Sequence, residues 1–238
     1  MIDLYSVPTP NGHKVSIMLH EIGAAYNLIP RSIRAGHQFE PDFLKINPNG
    51  KFPAIVDHDP PGGGGPLSVF ESGAILVYLA RKSARFLPED PRKHADVMQW
   101  LMWQMAGLGP FHGQAHHFVR YAPEHHEYAT MRYLGQAVRL LNVLDSHLKD
   151  RDYIAAGEYS IADMACWPWV RSIRIINLSM DDFPNLKAWF QRIEQRPAVQ
   201  TGKKVIDEDI YDSPAAERRI LPPEWWSNMF GENQHRRR

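Results

Sequence analysis

The stretch Pro-Thr-Pro-Asn-Gly at 8–12 carries two side chains that could do chemistry, Thr9 and Asn11. It joins a strand-like run at 2–7 to a helical pattern at 12–23. Free backbone N–H groups and the helix dipole meet at such a helix N-terminus and favour a negative charge, so an anion site is one interpretation. The other is an ordinary strand-to-helix connection with Asn11 as the N-cap, which residue chemistry alone favours.

Glu71 and Ser72 stand at the start of a second helical pattern, 71–83. The Ser72 hydroxyl, the free N–H groups and the helix dipole would hold a carboxylate, and the Glu71 carboxylate could hold an ammonium group beside it. Together these groups fit a zwitterionic amino-acid head.

Phe52-Pro53 opens a predicted strand, where a proline removes one N–H from the ladder. A cis peptide there would expose backbone for a ligand to pair with as an added strand, although a trans proline at an edge strand is commoner. The three features together indicate a peptide-like ligand with a charged end.

The elements that must position these groups alternate between strand and helix. The predicted order is strand 2–7, helix 12–23, strand 26–33, strands 52–59 and 67–70 around a Gly/Pro tract, and helix 71–83. This βαβ–ββα order predicts a thioredoxin-like domain over residues 1–84. The glycines 62–65 lack phosphate-loop spacing and indicate a hairpin turn.

Helical periodicity dominates after a linker at 85–90. The patterns at 91–120, 125–150, 159–176 and 183–199 predict an all-helical domain over 90–205, followed by a C-terminal extension, 206–238. Ser160 and Asp163 have the spacing of a capping box. In the extension, "LPPEWW" could fold across the surface or onto a dimer partner, and disorder of the last residues is equally plausible.

Charge and cysteine content narrow the function. The 27 basic and 27 acidic residues cancel, which argues against nucleic acid or an anionic membrane as a partner. No signal segment or membrane-spanning run is evident, so a cytoplasmic location is expected. Cys166 is the single cysteine, so thiol chemistry must use a ligand's sulfur or that residue.

His112 and His116 lie four residues apart, but no third ligand has metal-site spacing, so no metal is expected and structural histidines are favoured. His116 or His117 could also line a substrate cleft beside Phe118. Four tryptophans are interpreted as core residues: Trp100, Trp103, Trp167 and Trp169.

Several long blocks resemble the cytosolic glutathione transferases: "KFPAIVD" from 51, "FESGAILVYLA" from 70 and "YSIADMACWPW" from 159. The resemblance covers nearly residues 1 to 205. Within that superfamily, "PTPNGHKV" and "AGLGPFHGQAHHF" are similar to Nu-class bacterial members, described as glutathione-dependent disulfide-bond reductases.

The resemblance implies roles for individual residues. Thr9 and Asn11 would lie near the glutathione sulfur as the catalytic pair, and Glu71 and Ser72 would form the γ-glutamyl site. The remaining implied ligand contacts are Gln38 and Lys51 at the glycine end, Phe52 before cis-Pro53 pairing through its backbone, and Arg132 on the long helix. Tyr5 is interpreted as packing, since the Nu-like pattern places Thr and Asn at the turn.

The implied activity is thiol–disulfide exchange with glutathione as co-substrate and glutathione disulfide as product. A small or protein disulfide would be the substrate, with weak transferase or peroxidase side activity, and the protein would be a homodimer. One alternative is a non-enzymatic transferase-like binding or regulatory module. Another is a transferase that conjugates electrophiles.

Overall fold

A mixed sheet forms the N-terminal layer of the molecule. In the computed structural model, which describes residues 1–205 and 220–236, the sheet has four strands in the order β2-β1-β3-β4: β1 (Ile2–Ser6), β2 (Tyr26–Pro30), β3 (Ala54–Asp57) and β4 (Leu67–Phe70). β1 pairs parallel with β2 and antiparallel with β3, and β3 pairs antiparallel with β4 across the glycine-rich turn. The predicted thioredoxin-like arrangement is confirmed.

Helices complete this layer and build the rest of the chain. Their bounds are α1 (Pro10–Ile22), α2 (Pro41–Ile46), α3 (Ser72–Ser83), α4 (Pro91–Trp103), α5 (Gly109–His116), α6 (Glu127–His147), α7 (Ile161–Arg171), α8 (Pro184–Glu194), α9 (Pro197–Gly202) and α10 (Pro223–Met229). α1 packs against α3 of the N-terminal part and against α7 and α9 of the helical part. The N-terminus of α1 therefore lies where the sheet layer meets the helical part.

The pattern at 91–120 is not a single regular helix. α4 ends at Trp103, and π-helical turns at Gln104–Leu108 and His117–Tyr121 flank α5. Pro110 has no N–H to donate to the preceding turn, and π turns accommodate such interruptions. The pattern at 183–199 likewise divides into α8 and α9, because Pro197 occupies the first position of a new helix.

Two helix caps were predicted, and the structure confirms one of them. Thr9, not Asn11, caps α1: Gly12 N–H donates to Thr9 Oγ1 at 3.2 Å, and Pro10 takes the first helical position. The prediction of Asn11 as cap was wrong, because the fixed φ of Pro10 starts the helix two residues earlier. The capping box of α7 is confirmed, with Ser160 N–H donating to Asp163 Oδ2 at 2.9 Å.

A continuous apolar core joins the layers. Leu4 of β1, Val15 of α1 and Ile75 of α3 belong to the same buried cluster as Leu141 of α6 and Trp167 of α7. This shared core fixes α1 rigidly between the sheet and the helices. The domain limits 1–84, 90–205 and 206–238 remain predictions. Within the described residues, no helix is both long and apolar enough to cross a membrane.

Candidate functional site

A pocket of about 630 Å³ opens between the sheet layer and the helical part. The end of β1, the N-terminus of α1 and the segment before β3 form one side, and the first π turn with α5 forms the other. Six of the predicted site residues line it: Thr9, Asn11, Gln38, Lys51, Phe52 and Glu71. Residues that are up to 62 positions apart in the sequence therefore meet at one pocket.

Other predicted residues differ in their placement. Ser72 is buried next to the pocket at the first position of α3, and the Phe52–Pro53 peptide is cis. Arg132 lies exposed on α6 and does not line the pocket, so the structure does not bring it together with the other predicted residues. Tyr5 packs against the Phe43 ring at 5.8 Å and lies outside the pocket.

Glu71 has an unusual backbone conformation. Its φ of +69° lies in a region that residues with a Cβ rarely adopt, at a cost on the order of 1–3 kcal/mol. Such a conformation persists where the surrounding structure enforces it, and it is common at ligand sites. Here it places Glu71 on the pocket wall at the point where α3 begins.

The inner end of the pocket consists of Thr9, Asn11, Lys14, Gln104 and Trp169. Trp169 donates its indole N–H to Asn11 Oδ1 at 3.0 Å and stacks on the His116 ring at 5.9 Å. Trp169 was interpreted as a core residue. It is 8% exposed and belongs to the core cluster, but it also forms part of the pocket wall.

Lys14 is a functional candidate that the sequence reasoning missed. Its side chain is 1% exposed, and its ammonium donates to Gln104 Oε1 at 2.6 Å and to Ser72 Oγ at 3.2 Å. Burial lowers the pKa of Lys14 to about 7, and Glu71 opposes that shift only in part. The available signal was a lysine directly before the largely apolar segment 15–19 of α1, where a buried charge requires a specific partner.

The outer end of the pocket consists of Gln38 and Lys51 together with the C-terminal residues that cover them. Gln38 Nε2 donates to the backbone oxygen of Asn228 at 2.8 Å, and Lys51 Nζ donates to Gln234 Oε1 at 2.7 Å. Part of the extension therefore folds as α10 over the pocket mouth of the same chain.

Aromatic contacts hold this C-terminal segment in place. Phe230 packs against the rings of His117 at 4.7 Å and Tyr121 at 5.6 Å, and all three line the pocket. The Trp226 ring lies 5.7 Å from that of His117. "LPPEWW" contained the aromatic residues, but the sequence did not show which surface they would cover.

The histidines of α5 are buried and neutral. Burial lowers the pKa of His112 to about 4 and that of His116 to about 3. His112 Nδ1 lies 2.8 Å from the Leu108 carbonyl oxygen, which requires a proton on that nitrogen. The described residues contain no group of three or more His, Cys, Asp and Glu that could hold a metal ion.

Cys166 is unsuited to nucleophilic chemistry. Its thiol is fully buried in α7, and burial, with the nearby Asp163, raises the pKa of the thiol far above its usual range. A thiol without thiolate character is a poor nucleophile. Cys166 also does not line the pocket. The site thus offers amide donors, a helix N-terminus and a buried cation, while a reactive sulfur would have to come from a ligand.

Comparison with protein families and known proteins identifies relatives of this chain. The glutathione S-transferase N-terminal domain matches residues 1–81, and the C-terminal domain of the same family matches residues 106–197. The disulfide-bond oxidoreductase YfcG of Escherichia coli is 48% identical over 212 residues, which cover 89% of this chain and 98% of YfcG. The disulfide-bond oxidoreductase YghU of that organism is 41% identical, over 86% of this chain and 74% of YghU.

Solved structures give the same result. A glutathione transferase from Pseudomonas putida, with one glutathione disulfide bound per subunit, superposes with a TM-score of 0.80 at 45% identity, covering 86% of this chain and 91% of the other. A glutathione transferase family member from Pseudomonas fluorescens, with two glutathione molecules bound, has a TM-score of 0.80 at 44% identity, covering 85% and 92%.

Proposed function

Because this chain belongs to the glutathione S-transferase family, we propose that it is a glutathione-dependent disulfide-bond oxidoreductase that uses the sulfur of bound glutathione as its nucleophile. One observation carries the choice of nucleophile: Asn11 lines the inner end of the pocket at a helix N-terminus, whereas Cys166 is buried elsewhere. The helix dipole and amide donors favour a thiolate there, and a free thiol with a pKa of roughly 8.5 needs such help at neutral pH.

The ligand's two carboxylate ends are assigned to opposite parts of the pocket. Ser72 and the N-terminus of α3 bind the γ-glutamyl carboxylate, and Glu71 binds the ammonium group beside it. Gln38 and Lys51 bind the glycine carboxylate, for which they must give up contacts with Asn228 and Gln234. The backbone of Phe52, before cis-Pro53, pairs with the cysteinyl residue.

The reaction is a pair of thiol–disulfide exchanges. The bound glutathione thiolate attacks one sulfur of the substrate disulfide, which forms a mixed disulfide and releases the other sulfur as a thiolate. A second glutathione thiolate attacks the mixed disulfide and forms glutathione disulfide, while the remaining substrate sulfur leaves as a thiolate and takes up a proton. No protein cysteine changes oxidation state, in keeping with the burial of Cys166.

Two assays test this function. We expect the purified protein to reduce hydroxyethyl disulfide with glutathione much faster than it conjugates a chloronitrobenzene. Faster conjugation would assign the site to transfer onto electrophiles. Glutathione binding without turnover in either assay would indicate a non-enzymatic binding module. The substrate is proposed as a disulfide class, small or protein-borne, and the location as the cytoplasm, where the glutathione pool is kept reduced.

A homodimer is also proposed. Large apolar side chains are exposed on β4, α4 and α6, including Phe70, Met102, Met131 and Val143, and a second copy of this chain could cover them. Sedimentation at micromolar concentration should give twice the 27.4 kDa chain mass, and a species at the monomer mass would contradict the proposal.

A further inference from the structure

Two side-chain amides line the inner end, and each has its oxygen held by a group that can only donate. Asn11 Oδ1 accepts from the Trp169 indole N–H at 3.0 Å, and Gln104 Oε1 accepts from the Lys14 ammonium at 2.6 Å. Indole N–H and ammonium groups have no acceptor lone pair, so the amide oxygens must face them. The NH₂ group of each amide is consequently turned away from its support.

Gln104 shows the result of this arrangement most clearly. Its side chain is fully buried and lines the pocket, yet its Nε2 atom has no hydrogen-bond partner within the part of the chain that the structure describes. A buried amide donor without an acceptor is destabilising, and such groups are rare in folded proteins. A donor of this kind on a pocket wall indicates that a ligand supplies the acceptor.

Gly109 lies against the Gln104 amide and the Trp169 ring. A Cβ added to Gly109 would lie 2.9 Å from Gln104 Nε2 and 3.4 Å from Trp169 Cε2, the ring carbon bonded to the nitrogen that holds Asn11. Gly109 therefore packs against Gln104 and against the ring that holds Asn11, and it also lines the pocket. A side chain at 109 would displace the Gln104 amide from this position on the pocket wall.

From this geometry, and resting on the function proposed above, we propose that Gln104 is a second amide donor to the anionic sulfur of bound glutathione. Lys14 and Trp169 are positioning residues that turn Gln104 and Asn11 toward that sulfur. Fixed donors of this kind stabilise a developing anion without reorganising during the reaction. Lys14 also donates to Ser72 Oγ, which leaves the Ser72 hydroxyl hydrogen for a ligand carboxylate in preference to the weak acceptor Met105 Sδ at 3.6 Å.

Among the described residues, the charged group that interacts with Lys14 is Glu71, which precedes α3; Cys166 of α7 is also near Lys14, but its thiol keeps its proton. The π turn contributes the neutral Gln104 and Met105. The positive charge of Lys14 therefore adds to the attraction that the inner end exerts on a thiolate.

The test measures the pKa of the bound glutathione thiol, from thiolate absorbance against pH, in matched tryptophan variants. Trp169→Phe keeps an aromatic ring beside His116 but removes the N–H that holds Asn11. Trp167→Phe is the control: Trp167 lies on the same helix as Trp169, but its indole donates to the Phe190 carbonyl of α8, away from the pocket. We expect Trp169→Phe to raise the thiol pKa by about one unit and to slow disulfide reduction about ten-fold at pH 7, and Trp167→Phe to change neither.

A second pair of variants tests Gln104 itself. Gln104→Glu keeps an oxygen for Lys14 but replaces the donating NH₂ with an acceptor, so the bound thiol pKa should rise by about one unit or more. Gln136→Glu on α6 introduces the same change outside the pocket and should leave the thiol pKa unaltered. In an Asn11→Ala background, Trp169→Phe should have no further effect on that pKa, because its target is gone.

Failure of this proposal and failure of the proposed function would give different results. If the wild-type protein bound no glutathione or reduced no disulfide, the proposed function would be wrong. If the wild type is active but Trp169→Phe matches Trp167→Phe, or Gln104→Glu matches Gln136→Glu, in bound thiol pKa, the inference alone is overturned. Unfolding midpoints of the four variants identify any that has lost its fold, and the other matched pair then decides the matter.

Discussion

The two ends of the pocket differ in how their side-chain donors are paired. At the inner end, the oxygens of Asn11 and Gln104 accept from Trp169 and Lys14, and Gln104 Nε2 has no partner among the described residues. At the outer end, Gln38 and Lys51 already donate to Asn228 and Gln234 of the same chain. Ligand binding therefore adds hydrogen bonds at the inner end, whereas at the outer end it exchanges one partner for another.

This difference has an energetic consequence. A hydrogen bond that replaces an existing one contributes little net free energy, whereas an acceptor for an unpaired buried donor removes a standing cost. The affinity for glutathione and the rate of disulfide reduction should therefore depend mainly on the inner end. Substitutions at the outer end should change the affinity for glutathione by smaller amounts.

The largest expected effect concerns the buried histidines of α5, of which His116 stacks on Trp169 at the inner end. Burial lowers the pKa of His112 to about 4, below its ordinary value of 6.5, so the unfolded chain binds more protons between those values. The free energy of unfolding should therefore rise with pH over that window, and fall by on the order of 3 kcal/mol for His112 alone on acidification from pH 7 to 4. Denaturant titrations at several pH values measure it.

A matched pair of variants tests whether His112 causes this pH dependence. His112→Gln should flatten the slope, while His125→Gln, at an exposed position between α5 and α6, should leave it as it is in the wild type. Equal slopes in both variants would mean that a group other than His112 causes the loss of stability at low pH.

The γ-glutamyl contact comes next in size. Ser72→Ala removes a hydroxyl that Lys14 holds ready to donate to a charged carboxylate, which should weaken glutathione binding by about 1.5 to 3 kcal/mol. Calorimetric titration with glutathione measures the change. Ser83→Ala, at the other end of α3, is a suitable control, and unchanged affinity in Ser72→Ala would place the γ-glutamyl group elsewhere.

The rival sulfur sources give a third prediction. Asn11→Ala should slow glutathione-dependent disulfide reduction ten-fold or more, a loss of about 1.4 kcal/mol or above, because one donor to the thiolate is removed. Cys166→Ser should retain most of the activity, since its thiol is buried and outside the pocket. If Cys166→Ser were inactive and Asn11→Ala fully active, the chemistry would belong to the protein's own cysteine.

The smallest effect is expected at the outer end and has the opposite sign. Gln234→Ala releases Lys51 from its contact with the C-terminal segment, so glutathione should bind two- to five-fold more tightly, about 0.5 to 1 kcal/mol. Gln99→Ala on α4, remote from the pocket, is the control. Weaker binding in Gln234→Ala would mean that the segment helps to hold the ligand, and the contrast between the two ends would be lost.

The sequence predicted what depends on local pattern. The strands, most helices and the α7 capping box follow from periodicity and turn chemistry, and the six pocket residues from these patterns together with the family resemblance. The cap of α1 was wrong because Thr9 and Asn11 both suit an N-cap, and the choice rests on Pro10. The long pattern at 91–120 did not reveal its π turns, since apolar spacing tolerates one extra residue.

The parts that the sequence missed depend on distant partners. Lys14 contacts Gln104 across 90 positions, Trp169 contacts Asn11 across 158, and Gln38 contacts Asn228 across 190. Each of these residues has a plain interpretation by itself, as a helix charge, a core aromatic or a surface amide. Their joint role exists only once the fold has brought the pairs together.

The π turn at Gln104–Leu108 makes the pocket sensitive to chain length as well as to residue type. Such a turn contains one residue more than an α-helical turn of the same span. Deleting a single residue there would restore regular α-helical spacing but rotate the following chain by about 100° relative to α4. Gly109 and His116 would then face away from Lys14 and Trp169, although every pocket side chain was still present. Insertions and deletions in this short turn are therefore expected to be far less tolerated than in the glycine-rich β3–β4 turn.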